Sequence, residues 1–122
     1  AGAGPRLIVI GGELRPLSQA LVGPLSPPVL DQLYLDQAFV GTFSLSLDAG
    51  LTTTDPAEAF TQEHVLARTR EAVLLVDGSK LGTRSFAQAG RLDQIDVVIT
   101  DAELDEEASQ TFEHAGVRVL VA

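Results

Sequence analysis

Residues Ala72–Gly82 read A-V-L-L-V-D-G-S-K-L-G, and this stretch predicts the fold class. Val73–Val76 is wholly apolar, which is typical of a strand covered on both faces, as in a parallel sheet. The chain must turn at Asp77 and Gly78, and Lys80, its only lysine, follows the turn. Ligands of open parallel sheets bind beyond the carboxyl ends of the strands. Lys80 is therefore a candidate contact for an anionic group, with a solvated loop lysine as the alternative.

The composition indicates one domain of ordinary globular type. The chain has 122 residues, of which 45% are apolar and 20% charged. It contains no cysteine, which excludes disulfides and thiolate metal sites. No apolar run approaches the ~20 residues that span a bilayer, and the start A-G-A-G-P-R lacks the features of a signal peptide. We expect a cytoplasmic protein with no membrane partner.

The charge distribution argues against direct contact with nucleic acid. The formal net charge is −9, and the eight basic residues are scattered. Arg68 and Arg70 are the only close pair. A nucleic-acid surface needs clustered cations to neutralise phosphates. This chain, taken alone, is not expected to bind DNA.

Two short strands are predicted near the N-terminus. Arg6–Ile10, R-L-I-V-I, reads as a buried strand that ends at Gly11 and Gly12. Paired glycines let the backbone turn sharply and approach a ligand closely, although a tight turn without a ligand is the alternative. Gln19–Val22 is a possible second strand, which Gly23-Pro24 would break.

The middle of the chain predicts two helices around a strand and a loop. A helix begins at Ser26, followed by a strand at Gln37–Gly41. Thr42–Thr54 is polar without a clear period, and we expect a long functional loop that reaches the candidate anion site. Asp55-Pro56-Ala57-Glu58 is a capping-box pattern, which predicts a helix to about Arg70.

The C-terminal part continues the alternation of strands and helices. Arg84–Gly90 is a short strand or a loop, Asp96–Thr100 is a buried strand, and Val117–Val121 is the last strand. Between the last two, apolar residues recur at helical spacing and Gly116 suits the end of that helix. This order predicts an α/β fold with a mostly parallel sheet and right-handed crossovers.

Motifs for catalysis or cofactors are missing. His64 and His114 are far apart and have no metal-ligand partner at i+3 or i+4, so we predict no metal site. The sequence has no dinucleotide, Walker or nucleophile-elbow motif, and we predict no cofactor. Asp77 and Asp101 end strands, which suits acid/base chemistry or phosphoryl acceptance; the alternative, which we favour, is that they cap turns.

Six stretches occur in an order and at a spacing that carry a family resemblance. They are I-V-I-G-G-E-L (Ile8–Leu14), A-L-V-G (Ala20–Gly23), Q-A-F-V-G (Gln37–Gly41), A-G-L-T-T (Ala49–Thr53), L-L-V-D-G-S-K-L-G (Leu74–Gly82) and V-V-I-T-D (Val97–Asp101). Together they cover nearly the whole chain. In these stretches the chain resembles the C-terminal sensor domain of the DeoR family of bacterial transcription regulators.

The resemblance implies a fold related to ribose-phosphate isomerase and glucosamine-phosphate deaminase, with helices on both faces of the sheet. It implies that residues 1–122 bind a phosphorylated sugar or similar anionic metabolite. Ligand binding would modulate a separate helix-turn-helix domain of a repressor of sugar metabolism, and DNA would be bound only through that domain. By the same resemblance, Gly11 and Gly12 match the family's glycine pair, and Asp77, Ser79 and Lys80 match its D-x-S-K pattern.

Two departures from the family pattern matter. Gly41 is followed by T-F-S-L-S instead of an Asp-Gly pair, which argues against retained catalysis. The earlier strand–helix unit with its D-x-G-T-T loop is missing, as is the DNA-binding domain, so we expect an N-terminally truncated fragment. Sheet edges without partners favour pairing between copies, and we expect a homo-oligomer.

Other functions remain open at this point. One is a sugar-phosphate isomerase or deaminase, whose base would be Asp48, Asp77 or Asp101. Another is an oligomerisation module with a vestigial pocket. A phosphoacceptor receiver domain is disfavoured, because Gly11-Gly12 occupies the place of the acidic pair it needs after its first strand.

Overall fold

A computed structural model describes residues 4–17, 19–22 and 25–122. The elements follow the order β1 (Glu13–Arg15), β2 (Ala20–Val22), α1 (Ser26–Leu30), β3 (Leu35–Val40), β4 (Ser44–Ser46), β5 (Gly50–Thr53), α2 (Pro56–Arg68), β6 (Thr69–Leu75), β7 (Ala87–Gly90), β8 (Val97–Thr100), α3 (Glu106–His114) and β9 (Arg118–Val121). Single turns of 3-10 helix lie at Gly78–Lys80 and Leu92–Gln94.

The central sheet is parallel and confirms the predicted α/β class. Its strands lie in the order β3-β6-β8-β9, and every neighbouring pair is parallel. The predicted strand at Val73–Val76 coincides with the end of β6 except for Val76, which follows the strand, and β6 begins directly after α2 without a loop. Most of this run is buried, as its apolar composition predicts.

The core lies on one face of this sheet. Because side chains alternate along a strand, Ala72, Leu74 and Val98 point to the same side. There they share one buried cluster with Leu66 of α2 and Phe112 of α3. A second, antiparallel sheet of β4, β5 and β7 contributes further buried residues to the cluster.

The opposite face of the central sheet is apolar and is exposed only in part, since Val73 on this face is buried. Phe39, Leu75 and Leu120 point to this side and are 64%, 49% and 45% exposed. The resemblance implied helices on both faces, whereas α2 and α3 both pack on the core face. The strand order explains the difference, because successive right-handed crossovers in one direction put their helices on one side. Within residues 4–17, 19–22 and 25–122, no helix is long and apolar enough to cross a membrane.

The prediction of a long loop at Thr42–Thr54 was wrong, because this segment forms β4 and β5. Its residues Ser44, Ser46, Thr52 and Thr53 are buried, and among the described residues no buried side-chain oxygen lacks a hydrogen-bond partner. The Ser44 hydroxyl lies 2.8 Å from the Ser85 hydroxyl, and the Ser85 amide donates to Thr52 Oγ1 over 2.8 Å. Satisfied hydroxyls are compatible with a buried strand. The alternation of Leu45 with its serine neighbours is the signal that could have predicted β4.

The predicted strand at Arg6–Ile10 was also wrong. Leu7, Ile8 and Val9 are 86%, 68% and 72% exposed, and the described residues offer this run no pairing strand. A run of high β-propensity becomes a strand only where a neighbour supplies the hydrogen bonds. Instead, β1 begins at Glu13 and forms an antiparallel hairpin with β2. The predicted break at Gly23-Pro24 lies outside the described residues.

The predicted ends of α2 and α3 agree closely with the structure. The carboxylate of Asp55 caps α2 by accepting a 3.2 Å hydrogen bond from the Ala57 amide. The helix ends at Arg68, two residues before the predicted end. Gly116 follows α3 with φ +80°, the left-handed conformation expected after a helix.

Candidate ligand-binding site

The loop after β6 is held by hydrogen bonds to strand-end carboxylates. Asp77 caps the turn Gly78–Lys80, because its Oδ1 accepts the Ser79 amide at 2.9 Å and also the Ser79 hydroxyl. The hydroxyl hydrogen bond lowers the pKa of the Asp77 carboxyl below its usual value. Asp101, at the end of β8, accepts the Gly78 amide. Both aspartates therefore act as turn residues, which is the interpretation that the sequence favoured.

A cavity of about 670 Å³ opens beside this loop, and Lys80 lies in its wall. The wall is completed by the hairpin, by α2, and by the ends of β3 and β5. The Lys80 side chain is half-buried, and its Nζ lies 5.9 Å from the centre of the Phe43 ring. In the part of the chain that the structure describes, no carboxylate forms an ion pair with this ammonium group. Its charge is available to a ligand.

The cavity wall has an apolar part and a polar part. Its apolar side chains include Leu17, Leu21, Val40, Phe43 and Val65. Its polar side chains include Arg15, Thr42, Thr54, Glu58, Gln62 and Lys80. A sugar offers both hydroxyl groups and apolar C–H surface, so this mixture suits it.

Gln62 and Thr42 shape the rim of the cavity at the end of β3. The Gln62 side-chain amide donates a 2.8 Å hydrogen bond to the Gly41 carbonyl, which ties α2 to the turn after the strand. The Thr42 hydroxyl donates to the Ser44 carbonyl at 2.8 Å. These bonds fix the backbone on which Phe43 stands opposite Lys80.

Arg15 is a charged cavity residue that the sequence analysis missed. It ends β1, and its side chain reaches the first turn of α2. There its Nε lies 3.5 Å from Oδ2 of Asp55, and its Nη1 donates to the Glu58 carboxylate. Its Nη2 also donates to Thr54 Oγ1 at 3.4 Å. The sequence carried no signal for this contact, since residues 15 and 58 are 43 positions apart and meet only through the packing of the hairpin.

Of the five predicted ligand-binding residues, Lys80 lies in the cavity wall. Asp77 and Ser79 lie in the same turn as Lys80 but outside the lining residues. Gly11 is exposed and its carbonyl accepts a 3.2 Å hydrogen bond from the Ser26 hydroxyl, and neither Gly11 nor Gly12 is among the lining residues. A ligand role for these four residues stays a prediction.

The cavity is suited to binding an anion. Among the described residues its wall contains two cations, Arg15 and Lys80, and one carboxylate, Glu58. The three aspartates that the sequence offered as a catalytic base, Asp48, Asp77 and Asp101, are not among the lining residues. In the described ranges, no group of three or more His, Asp or Glu side chains is placed to hold a metal ion.

Comparison with known proteins gives consistent results. Residues 2–102 match the family described as "DeoR C terminal sensor domain". The chain is 41% identical over 110 residues, 90% of its length, to the HTH-type transcriptional regulator GlpR of Haloferax volcanii. It is 33% identical over 106 residues, 87% of its length, to the lactose phosphotransferase system repressor of Staphylococcus aureus. The matched regions cover 43% and 41% of those two relatives.

Proposed function

Because the chain belongs to the family of DeoR C-terminal sensor domains, we propose that it binds a phosphorylated sugar or a similar anionic metabolite in the cavity beside Lys80. Ligand binding would change how tightly a helix-turn-helix domain of the same regulator binds DNA. In this proposal the regulator is a cytoplasmic repressor of sugar metabolism. The names of the relatives, an HTH-type transcriptional regulator and a lactose phosphotransferase system repressor, support this role.

The placement of positive charge is the observation that carries the proposal. The whole chain has 17 acidic and 8 basic residues, yet the described part of the cavity wall has two cations and one carboxylate. Lys80 has no direct ion-pair partner among the described carboxylates, so its ammonium group can approach a phosphate without first breaking a salt bridge. The cavity of about 670 Å³ lies within the usual range for small-molecule sites, about 300–1,000 Å³.

We propose a binding domain rather than an enzyme. Isomerisation or deamination needs a base positioned at the substrate carbon. The three aspartates that the sequence offered as this base, Asp48, Asp77 and Asp101, are not among the residues that line the cavity. A test for turnover of ribose 5-phosphate and glucosamine 6-phosphate by this chain is expected to show none, and measurable turnover would favour the enzyme.

Calorimetry with matched pairs of sugars tests the proposal. The chain is titrated with fructose 1-phosphate, ribose 5-phosphate and glucose 6-phosphate, and with the unphosphorylated sugars. At least one phosphorylated sugar is expected to bind at least tenfold more tightly than its unphosphorylated partner, and added salt should weaken that binding. Lys80→Gln should reduce the affinity about tenfold, since hydrogen bonds to charged groups contribute about 1.5–3 kcal/mol.

Arg91→Gln is the matched control for Lys80→Gln. Arg91 is an exposed cation that pairs with Asp93 at 3.0 Å and lies outside the cavity wall. Its substitution changes the net charge by the same amount and should leave the affinity unchanged. Equal losses in both variants would mean that the effect is one of net charge, and no phosphate-dependent binding in the wild type would reject the proposed function.

The predicted homo-oligomer remains a proposal that sedimentation can test.

A further inference from the structure

Arg15 lies in the cavity with its guanidinium group already bound to protein carboxylates. The side chain is 23% exposed, and those of Asp55 and Glu58 are 22% and 19% exposed. Of these three, Arg15 and Glu58 line the cavity and Asp55 does not. The Arg15–Glu58 pair is therefore an ion pair at the surface that a ligand would touch.

We propose that Arg15 is a second cationic contact for the anionic group of the ligand, and that the ligand takes the guanidinium group from Glu58. The inference rests on the proposed function and adds to it a residue and an exchange of partners. In the absence of ligand, the Glu58 carboxylate occupies the place of the anion. When the ligand is bound, its anionic group would contact both the Lys80 ammonium group and the Arg15 guanidinium group, which would no longer pair with Glu58.

The chemistry of the two anions favours this exchange. A phosphate monoester carries about −1.5 to −2 charges at neutral pH and three acceptor oxygens, whereas Glu58 carries one charge and two oxygens. Guanidinium binds phosphate through two parallel N–H···O bonds, which a lysine cannot reproduce. The Arg15–Glu58 pair is partly buried, so breaking it has a cost that the stronger bonds between the guanidinium group and the phosphate must offset.

The exchange would couple the ligand to the β1–β2 hairpin. Arg15 is the last residue of β1, and its bonds to Asp55, Glu58 and Thr54 join this hairpin to the start of α2. The hairpin pairs with no further strand among the described residues. A two-stranded hairpin is marginally stable by itself, so its attachment depends on such contacts. Ligand binding would therefore change how the hairpin is held against α2.

Substitutions on both sides of the ion pair test the proposal. Arg15→Lys keeps the charge but removes the paired N–H donors of the guanidinium group. The test ligand is the phosphorylated sugar that binds the wild type most tightly, and its affinity should fall about tenfold in this variant. Glu58→Gln keeps the size but removes the competing carboxylate, and it should strengthen binding about threefold to fivefold. Hydrogen exchange of the β1 and β2 amides should change on ligand addition in the wild type and change less in Glu58→Gln.

The exposed pair Arg91–Asp93 supplies the controls. Arg91→Lys and Asp93→Asn make the same chemical changes at a pair outside this cavity, and both should leave binding unchanged. Thermal unfolding checks that each variant is folded. If Lys80→Gln weakens binding but Arg15→Lys does not, or if Glu58→Gln weakens it, the exchange is rejected and the proposed function stands. If the wild type binds no phosphorylated sugar, the proposed function and the exchange are both rejected.

Discussion

The amide of Gly78 donates a 2.8 Å hydrogen bond to Oδ1 of Asp101, which joins the turn after β6 to the end of β8. Asp77 caps the same turn from its other side. Lys80 is the last residue of this turn, so the hydrogen bonds of two strand ends hold the backbone from which its side chain extends. The candidate site is therefore built from neighbouring parallel strands and not from one loop.

Asp101→Ala should loosen this turn. The Gly78 amide is exposed enough for water to replace the lost bond, so the free energy of unfolding should fall by only about 1 kcal/mol. Binding of a phosphorylated sugar should weaken more than stability does, because Lys80 loses its fixed position. Urea unfolding and calorimetry measure the two effects. Asp93→Ala, at an exposed carboxylate outside the cavity, is the control, and an equal loss of affinity there would contradict the explanation.

Gly78→Ala should destabilise the protein through a contact with the next strand-end loop. An added Cβ would lie 2.7 Å from Cβ of Ala102, a distance that real side chains do not adopt. Overpacking of this kind costs about 1–3 kcal/mol. The double variant Gly78→Ala/Ala102→Gly removes the clashing methyl group and should recover part of this loss. Thermal unfolding of the two single variants and the double variant forms a cycle, and additive effects would show that the contact is not the cause.

Ser79→Ala should raise the pKa of the Asp77 carboxyl, since the Ser79 hydroxyl bond is the main cause of its lowered pKa. The folded pKa lies below the unfolded value of about 3.9. The carboxylate therefore stabilises the folded state above that pH, and the contribution is lost as the pH falls from about 4 through the folded pKa.

Carbon-13 NMR of the carboxyl groups measures this change directly. Asp48 is an internal control, because its lowered pKa depends first on a hydrogen bond from Ser46 and should not move in Ser79→Ala. An unchanged pKa of Asp77 in the variant would mean that the backbone amide of Ser79 is sufficient to hold the carboxylate in its charged form.

The exposed face of the central sheet should bind hydrophobic dyes. Phe39 and Leu75 project from it, and a patch of this kind is unusual on a soluble monomer. The double variant Phe39→Ser/Leu75→Ser should bind less anilinonaphthalene sulfonate at nearly unchanged thermal stability, because these side chains contribute little to the core. Val73→Ser, on the same face but buried, is the contrasting variant and should lower the stability. Equal dye binding before and after the double substitution would locate the patch elsewhere.

Local sequence signals were sufficient for the fold class and for the strand-end position of Lys80. The apolar run that ends at Asp77 predicted both a buried strand and a loop carrying Lys80 at the ligand edge of the sheet. The match to the family's order of motifs supplied the fold class, and the capping residue Asp55 predicted the start of α2. These features depend on neighbours in the chain, on which patterns of apolar and capping residues report directly.

The features that local signals missed depend on distant partners. Ser44 and Thr52 read as loop residues, but Ser85, more than 30 positions away, satisfies their hydroxyls inside a sheet.

The sequence by itself determined an α/β domain of the DeoR sensor family, with a cation placed beyond the end of a buried strand. It could do so because strand burial and turn formation depend mainly on residues that are consecutive in the chain. Only the tertiary structure decided that Arg15 shares the cavity with Lys80, and that Arg6–Ile10 is no strand. Both outcomes depend on strand pairing and side-chain packing between distant segments, and the local sequence pattern does not indicate which distant residues are in contact.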